Sequence, residues 1–330
     1  MKYRSIMVTG GAGYVGAVLV PELVKKGCKV TVYDQYIFGE DVFKNLTKNK
    51  KLKQVKGDIR DTRKIAGELE GIEAVIHLAG ISNDPSFELN PKLSREINFE
   101  AGKELFDLCK RRAVDRFIFA SSSSVYGVRK EQQVTENVPV TPLTDYSKYK
   151  VLCEEYFLKH RGDMTTLVLR PATVCGYSPR MRFDLTVNLL TMQALTEGRI
   201  KVFGGEQMRP NIHIKDMVRA YTESLEYESG KINGKIYNAG YRNYSVLDIA
   251  QLIKRVITDA EITIERQPSD DRRSYRITSE KIRKELGFCA EKTVEEAISD
   301  IQDAYLQGKF GDSLYDNRYY NIKRMKEFKF

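Results

Sequence analysis

Residues 8–16 read VTGGAGYVG and carry the strongest structural signal in this chain of 330 residues. The strand-forming residues 6–9 lead into this stretch, and apolar residues at helical spacing follow it up to Gly27. Glycines at these positions allow a tight turn, close packing of the helix on the sheet and a close approach to a pyrophosphate. The free N–H groups and the positive end of the helix then face the phosphates. The stretch therefore predicts a dinucleotide-binding turn.

A second strand signal, residues 29–33, ends at Asp34. A carboxylate at this distance from the glycines accepts hydrogen bonds from the adenosine ribose hydroxyls in dinucleotide-binding folds. The same carboxylate would repel the 2′-phosphate of NADP. The sequence therefore predicts NAD as the cofactor.

Strand and helix signals alternate through the first half of the chain. Strands are predicted at residues 5–9, 29–33, 52–56, 74–78, 116–120 and 165–170, and helices at 14–26, 61–70, 91–112 and 144–160. Such alternation is typical of a parallel sheet covered on both faces. We therefore expect an α/β fold, in which a doubly wound parallel (Rossmann) sheet is joined to a smaller α/β substrate lobe.

The alternation loosens after Pro171. Further strands are predicted at 200–203, 235–239 and 261–266, and further helices at 214–228 and 245–257. We expect residues 1–170 and about 214–238 to form the NAD-binding Rossmann domain, and residues 171–213 and 239–312 to form the substrate lobe. The last residues, 313–330, follow no assignable pattern, and a docked arm and a loose tail are both open.

Composition excludes several classes of protein. The hydrophobic content of 42% and the charged content of 30% are typical of a globular protein. No apolar run reaches the roughly 18–20 residues that span a membrane, and the first strand begins too early to leave room for a signal peptide. The five cysteines are scattered and are expected to be reduced thiols, so we expect a cytoplasmic protein with no membrane partner.

The net charge of +9 is dispersed, apart from lysines at 44–56 and the basic residues at 318–329. Dispersed charge is typical of a solvated surface, so no nucleic-acid partner is expected. Some arginines would instead bind an anionic substrate. The three histidines are not paired at metal-ligand spacing, so we expect no metal site.

Tyr146 and Lys150 are four residues apart at the start of a predicted helix and would project from one face. A free tyrosine, with a pKa of about 10, is a poor base at neutral pH. A lysine charge about 5 Å away favours the phenolate by roughly 3 kcal/mol at an effective dielectric constant near 20. The pair therefore predicts a general base. An ordinary amphipathic helix is the alternative interpretation.

Four serines, Ser121–Ser124, directly follow the strand predicted at 116–120. Ligands gather at the carboxyl ends of strands in doubly wound sheets, so we expect these serines where the nicotinamide and a substrate hydroxyl meet. A polar turn that caps the strand is the alternative. His77 lies within a nearly all-apolar strand and is expected to be a core residue rather than a catalyst.

These features together resemble the extended short-chain dehydrogenase/reductase family, particularly its NAD-dependent nucleotide-sugar epimerases, dehydratases and dehydrogenases. The resemblance covers about residues 5–310. It rests on the motifs TGGAGYVG, Gly57-Asp58-Ile59-Arg60, His77-Leu78-Ala79-Gly80, SSSSVYG, YSKYK and Arg170-Pro171-Ala172-Thr173-Val174-Cys175-Gly176, which follow one another in the family's order.

The resemblance implies roles for individual residues. Tyr146 would be the base, Lys150 would hold the nicotinamide ribose, and Ser122 would occupy the place of the family's catalytic Ser/Thr. Cofactor contacts are implied for Gly10, Gly13, Tyr14, Val15, Gly16, Asp34, Asp58, Ile59, Leu78, Ala79, Gly80, Ser121, Tyr146, Lys150, Pro171, Thr173 and Val174. Substrate contacts are implied for Asp84, Ser122, Ser123, Ser124, Tyr146, Thr173, Arg182, Asn188, Arg209 and Arg273.

Within these sets, the resemblance implies that Asp58 and Ile59 flank the adenine. It also implies that Asn188, Arg209 and Arg273 contact the diphosphate of a nucleotide substrate, with Arg272 as a rival to Arg273. Bidentate binding to phosphate is a task for which arginine is well suited.

Two departures from the family pattern bear on the reaction. The 4,6-dehydratases carry an acid pair just after the catalytic Ser/Thr, where this chain has Ser123 and Ser124, so elimination of water is disfavoured. Thr173 and Cys175 replace the family's usual Asn and Tyr near the nicotinamide and sugar, so no specific sugar is transferred. The stretch SPRMRFDLTVN resembles a subgroup that acts on manno-configured or heptose nucleotides.

We predict an enzyme that oxidises the C4 hydroxyl of a nucleoside-diphosphate hexose or heptose, as an epimerase or a dehydrogenase. A 4,6-dehydratase is the alternative activity. A non-catalytic NAD-sensing regulator is the alternative of another class, although it would normally have lost the tyrosine or the lysine.

A homodimer is the remaining expectation. Helices 91–112 and 144–160 carry apolar residues on more than one face, and relatives dimerise through such helices. The residues in question are Leu105, Phe106, Leu108, Val151, Leu152, Tyr156 and Phe157. The alternative is that these side chains only thicken the core of one monomer.

Overall fold

The computed structural model describes residues 1–82, 84–258, 261–269, 274–310 and 316–328. The strands are β1 Ser5–Thr9, β2 Lys29–Asp34, β3 Leu52–Lys56, β4 Ala74–His77, β5 Arg116–Ala120, β6 Thr165–Pro171, β7 Thr173–Cys175, β8 Arg199–Phe203, β9 Met208–His213, β10 Lys235–Ala239, β11 Arg242–Ser245 and β12 Thr263–Gln267. The helices are α1 Gly16–Lys25, α2 Thr62–Glu68, α3 Asp84–Phe87, α4 Pro91–Arg95, α5 Ala101–Arg111, α6 Asp145–His160, α7 Thr186–Glu197, α8 Ile214–Ser224, α9 Ser229–Ile232, α10 Val246–Val256, α11 Glu280–Leu286, α12 Val294–Leu306 and α13 Asn321–Glu327.

Seven strands form one parallel sheet in the order β3-β2-β1-β4-β5-β6-β10. The order reverses between β1 and β4, and a crevice opens at the carboxyl ends of the strands at such a reversal. This sheet confirms the doubly wound α/β class expected from the alternating signals.

Both faces of the sheet are covered, so its central strands are mainly apolar. One face packs Val8, Ile76 and Leu167 against α1 and α8, which contribute Leu19 and Met217. The opposite face packs Val75 and Phe117 against α5 and α6, in a cluster with Phe106 and Phe157. His77 is buried within β4 and shares a 2.7 Å hydrogen bond with Thr9, and burial lowers its pKa to about 3. It is a neutral core residue.

A smaller assembly follows β6. The strands β7, β9 and β11 form a three-stranded sheet, and β8 pairs in parallel with β12. Helices α7, α10 and α12 bury a separate apolar cluster here. In this assembly β8, β12 and α10 were predicted from the sequence to within two residues at each end, whereas β7, β9, β11, α7 and α12 were not predicted.

Three helix predictions differ in detail from the structure. The helix predicted at 91–112 continues from Pro91 to Arg111, but a π-helical turn, Glu96–Glu100, lies between α4 and α5. The helix predicted at 214–228 ends at Ser224. The helix predicted at 14–26 begins only at Gly16, since residues 10–15 form the turn that leads into α1.

The segment 316–328 packs against the rest of the protein. It comprises a short 3₁₀ helix, Asn317–Tyr319, and α13. Asn321 and Met325 are buried, and the Phe183 N–H donates to the Tyr319 carbonyl oxygen at 2.9 Å. Of the two possibilities for the C-terminal stretch, the docked arm is therefore correct for the residues that the structure describes. Within those residues, no helix combines the length and apolarity needed to cross a membrane.

Candidate active site

A cavity of about 560 Å³ lies where β1, β2, β4, β5 and β6 end. This volume is within the range of roughly 300–1,000 Å³ that is usual for small-molecule sites. Most of the predicted site residues line it: Gly10, Gly13, Tyr14, Val15, Gly16, Asp34, Ile59, Leu78, Ala79, Gly80, Ser121, Ser122, Ser123, Ser124, Tyr146, Lys150, Pro171, Thr173, Val174, Arg182 and Arg209. The fold therefore brings together residues that are up to two hundred positions apart.

The glycine-rich turn needs glycine at two of its positions for steric reasons. Gly10 has φ +70°, and a Cβ there would lie 2.6 Å from the backbone of Ala79. A Cβ on Gly16 would overlap the carbonyl group of Gly11. The first turn of α1 carries no acidic residue, so its N-terminal end is free to face an anion. The turn therefore fits the diphosphate of a dinucleotide.

Asp34 is held in place at the end of β2. One of its carboxylate oxygens accepts the N–H of Ala12 at 2.9 Å, and the other accepts the N–H of Tyr36 at 2.8 Å. Burial raises the pKa of this carboxyl group, which the two N–H donors counteract. Each oxygen retains a lone pair, so the carboxylate can also accept ribose hydroxyls.

Tyr146 and Lys150 project from α6 towards the cavity. Thr144 caps this helix, since its hydroxyl accepts the N–H of Ser147. The Lys150 ammonium nitrogen lies 5.7 Å from the centre of the Tyr146 ring and donates to the Ala120 carbonyl oxygen at 2.7 Å. Burial lowers the Lys150 pKa to about 8, so its charge is largely retained at neutral pH. A cation is therefore fixed beside the phenol.

A row of hydroxyl groups connects α6 to Ser122. The Ser147 hydroxyl donates to Ser124 at 3.0 Å, and the Ser124 hydroxyl lies 2.9 Å from that of Ser122. Ser122 also accepts the N–H of Ser124 at 3.1 Å. Because Ser147 donates to Ser124, the Ser124 proton is free to point at Ser122. The Ser122 hydroxyl then has both lone pairs engaged and can donate its own proton into the cavity.

A buried ion pair lies behind these groups. Arg170 at the end of β6 binds Glu154 of α6 through two hydrogen bonds, of 3.0 and 2.6 Å. Ser121 donates to the same carboxylate, and Arg170 also donates to the Tyr126 hydroxyl at 2.9 Å. Fully hydrogen-bonded buried networks of this kind give a rigid local structure. The network therefore ties α6 to the strands that end at the cavity.

Arg182 and Arg209 line the cavity as expected, in different surroundings. Arg182 is buried and forms a two-pronged ion pair with Asp184, at 2.9 and 3.0 Å. It also donates to Ser82 at 3.2 Å. Arg209 on β9 is half-buried and donates to the Met208 carbonyl oxygen.

Asn188 and Asp58 depart from their predicted placement, since neither is among the residues that line the cavity. Both N–H hydrogens of the Asn188 amide are used inside the protein, since they donate to the Tyr14 hydroxyl and the Arg182 carbonyl oxygen, and the amide oxygen accepts the N–H of Gly176. Asp58 forms an ion pair with Arg60 at 2.6 Å. The sequence pattern did not reveal these internal partners.

Two expected substrate contacts fall outside the described residues. Arg273 and its rival Arg272 lie in the stretch 270–273, which the structure does not describe. Asp84 begins α3, but its side chain is not among the described parts.

The cavity also has walls that the sequence analysis missed. These include Phe38 after β2, Arg180 and Asp184 after β7, Tyr275, and Asn321 and Ile322 of α13. The arginine-rich stretch SPRMRFD could have indicated that Arg180 lines the cavity. Nothing in the sequence indicated that the C-terminal segment would reach the cavity.

Comparisons with known proteins agree with the geometry. Residues 6–240 match the NAD dependent epimerase/dehydratase family. The chain is 33% identical to an uncharacterized UDP-glucose epimerase, YtcB, of Bacillus subtilis (strain 168), over 76% of this chain and 81% of that protein. It is 28% identical to the UDP-glucose 4-epimerase of Lactobacillus helveticus, over 90% and 94% of the two chains.

Among solved structures, the fold is similar to the UDP-glucuronic acid 4-epimerase of Bacillus cereus, crystallised with UDP-glucuronic acid and NAD. The TM-score is 0.79 and the identity 25%, over 92% of this chain and 99% of that chain. These matches confirm the resemblance drawn from the motifs, and they disfavour the non-catalytic alternative. The chain belongs to the NAD-dependent epimerase/dehydratase family and is an NAD-dependent enzyme.

Proposed function

We propose that this protein is a nucleotide-sugar 4-epimerase that acts on a UDP-hexose. The observation that carries the proposal is the arrangement of Tyr146, Lys150 and Ser122 on one wall of the cavity at the carboxyl ends of the sheet. The relatives' names, UDP-glucose and UDP-glucuronic acid 4-epimerases, support the nucleotide and the carbon atom. The test below also distinguishes two alternatives. The enzyme would instead be a dehydrogenase that releases the keto-sugar, or it would act on a heptose.

NAD, when bound, supplies the hydride acceptor and, in its reduced form, the hydride donor. Tyr146 takes the proton of the C4 hydroxyl, because the Lys150 ammonium beside its ring stabilises the phenolate. The Ser122 proton, directed into the cavity by the hydroxyl row, binds the same substrate oxygen as negative charge develops on it. Tyr146 returns the proton when the sugar is reduced from its other face.

The other residues predicted to contact NAD or the nucleotide sugar have separate roles. The glycine-rich turn and Asp34 bind the diphosphate and the adenosine ribose of NAD, and Asp34 selects against NADP. Arg209 binds the diphosphate of the nucleotide sugar, together with Arg273. Asn188 acts through the loop that it holds, rather than by binding the diphosphate, because both N–H hydrogens of its amide already donate within the protein.

Elimination of water is disfavoured by the residues next to Ser122. A 4,6-dehydratase must remove a proton from C5 and protonate the departing C6 hydroxyl, and carboxyl groups suit both tasks. Ser123 is buried and Ser124 belongs to the hydroxyl row. A serine hydroxyl is too weak an acid and too weak a base to perform either step unaided.

The test is incubation of the purified enzyme with UDP-glucose, UDP-glucuronic acid and an NDP-heptose, followed by NMR of the sugar. A product of unchanged mass with inverted C4 supports the proposal. Accumulated NADH with a keto-sugar would instead identify a dehydrogenase. Tyr149→Phe is the matched control for Tyr146→Phe, because Tyr149 is on the same helix and stacks on Phe87 and Phe99.

We also propose a division into two domains, a cytoplasmic location and a homodimeric assembly. The large sheet with α8 and β10 would form the NAD-binding domain, and the smaller assembly the substrate lobe. Five free cysteines, four of them buried, are compatible with the reducing cytoplasm.

The proposed homodimer would use the outer faces of α5 and α6. Of the seven apolar residues named for it, Leu105, Phe106, Leu108, Val151 and Phe157 are buried in the monomer, whereas Leu152 is 40% exposed. The interface would therefore depend on Leu152 and its neighbours. Light scattering tests it: a monomer mass would refute the dimer, and Leu152→Lys should dissociate it.

A further inference from the structure

Arg180 is a buried cation on the cavity wall that forms no ion pair with a described residue, although the Asp184 and Asp34 carboxylates interact with it electrostatically at longer range. Its side chain is 4% exposed, and its Nε atom has no hydrogen-bond partner. Among the described residues, no carboxylate lies within ion-pairing distance of its guanidinium. Arg182 differs from Arg180, because Arg182 forms a bidentate ion pair with Asp184.

The guanidinium of Arg180 is nevertheless held firmly. Its central carbon lies 3.6 Å from the centre of the Phe38 ring, which is a stacking contact. One terminal nitrogen donates to the amide oxygen of Asn321 at 2.5 Å. The other terminal nitrogen makes only a long contact, of 3.4 Å, with the Met181 carbonyl oxygen.

Asn321 is itself fixed from several directions. It is 3% exposed, and its amide nitrogen donates to the Ser82 hydroxyl at 2.8 Å. In the same segment, Arg324 donates to the Ile37 carbonyl oxygen at 2.7 Å. The segment 316–328 therefore joins the loop after β2 to the loop that carries Arg180, and it sets the position of the guanidinium.

An unmatched buried cation is unfavourable, so its retention on a cavity wall points to an anionic ligand. Burial and the neighbouring charge of Arg182 lower the pKa of Arg180 to about 9, and the Asp184 and Asp34 carboxylates oppose this shift only in part. The contact with Phe38 and the interaction with Asp34 put Arg180 on the side of the cavity where the adenosine is expected. Tyr14 of the glycine-rich turn is among the groups that interact electrostatically with Arg180.

We propose that Arg180 is a cofactor-binding residue that contacts the diphosphate of NAD, and that Asn321 is the residue that positions it. The inference rests on the use of NAD and not on the proposed sugar substrate. The glycine-rich turn would bind the diphosphate through N–H groups, and Arg180 would add the positive charge that the turn lacks. The C-terminal segment would then be part of the cofactor site.

The first test compares ligands with and without the diphosphate. Dissociation constants of the full-length protein are measured by calorimetry for NAD, NADP and ADP-ribose, and by competition for adenosine. Arg180→Met should weaken NAD and ADP-ribose binding by about 10- to 100-fold, as expected for a lost hydrogen bond to a charged group, and leave adenosine binding unchanged. Arg180→Lys should recover part of the loss.

An equal loss for adenosine would show that Arg180 only shapes the pocket, and would overturn the proposal. A loss confined to NADP would assign the guanidinium to a 2′-phosphate, which would also overturn it.

The second test separates binding from structure by means of Asn321→Asp. The new carboxylate would form an ion pair with Arg180, so the melting temperature of the cofactor-free protein should stay the same or rise. NAD affinity should fall, because the charge of Arg180 would already be neutralised. Lys326→Met, which removes an exposed charge from the same helix, should change neither quantity. Unchanged NAD affinity in Asn321→Asp, or a fall in melting temperature together with affinity, would contradict the positioning role.

Discussion

Lys150 is a buried cation whose effect on stability depends on pH. Burial lowers its pKa from 10.5 to about 8 in the folded protein. At pH 7 both the folded and the unfolded chain carry the charge, so the cost of burying it is fully present. Above pH 8 the folded protein releases the proton, whereas the unfolded chain keeps it until about pH 10.5. The unfolded state then binds more protons, so the free energy of unfolding rises with pH.

The two pKa values give the size of this effect. From pH 7 to pH 9, the Lys150 contribution should raise the free energy of unfolding of the cofactor-free wild type by roughly 1 kcal/mol. Lys150→Met lacks this contribution. At pH 7 the variant should be the more stable protein, since it avoids a burial cost of roughly 3 kcal/mol and loses one hydrogen bond, to Ala120, worth about 1 kcal/mol.

Urea unfolding followed by circular dichroism, at pH 7 and pH 9, measures both quantities. The difference between wild type and variant removes the contributions of other titrating groups. Lys148→Met is the matched control, because Lys148 is an exposed residue of α6 paired with Asp145, and it should show no such pH dependence. A difference between wild type and Lys150→Met that stays constant from pH 7 to pH 9 would refute the reasoning.

Three further predictions concern the site and the turn. Tyr146→Phe should nearly abolish turnover with NAD affinity intact, and Ser122→Ala should lower turnover by roughly 10²–10³-fold; normal activity in Tyr146→Phe would exclude it as the base. Because of Asp34, calorimetry should show tighter binding of NAD than of NADP, and the reverse order would remove that role from Asp34. Gly10→Ala should lower both stability and NAD affinity, whereas Gly67→Ala in the exposed last turn of α2 should stabilise the protein by roughly 0.5–1 kcal/mol, as thermal unfolding would show.

The sequence allowed the nucleotide-binding half of the fold to be predicted because its signals are local. The glycine-rich turn, Asp34 and the strand that precedes Ser121 each depend on residues within a few positions of one another. The mainly apolar runs of β1, β4, β5 and β6 follow from burial on both faces of the sheet. Most residues that line the cavity could therefore be named in advance.

The parts that could not be predicted depend on contacts between distant segments. The strands β7 and β11 are short, and the pairing of β9 with both of them crosses long stretches of chain. The internal partners of Asn188 come from Tyr14 and Gly176. Asn321 reaches the cavity only because the segment 316–328 folds back onto loops that are more than one hundred residues away. No local pattern encodes such contacts.

The most direct test of the account is the fate of a UDP-hexose incubated with the purified enzyme and followed by mass spectrometry and NMR. A 4-epimerase gives a product of unchanged mass in which only the C4 configuration is inverted, with no net NADH formed. Tyr146→Phe should form almost none of this product. Loss of one water molecule, or loss of two hydrogens with NADH released, would contradict the epimerase assignment.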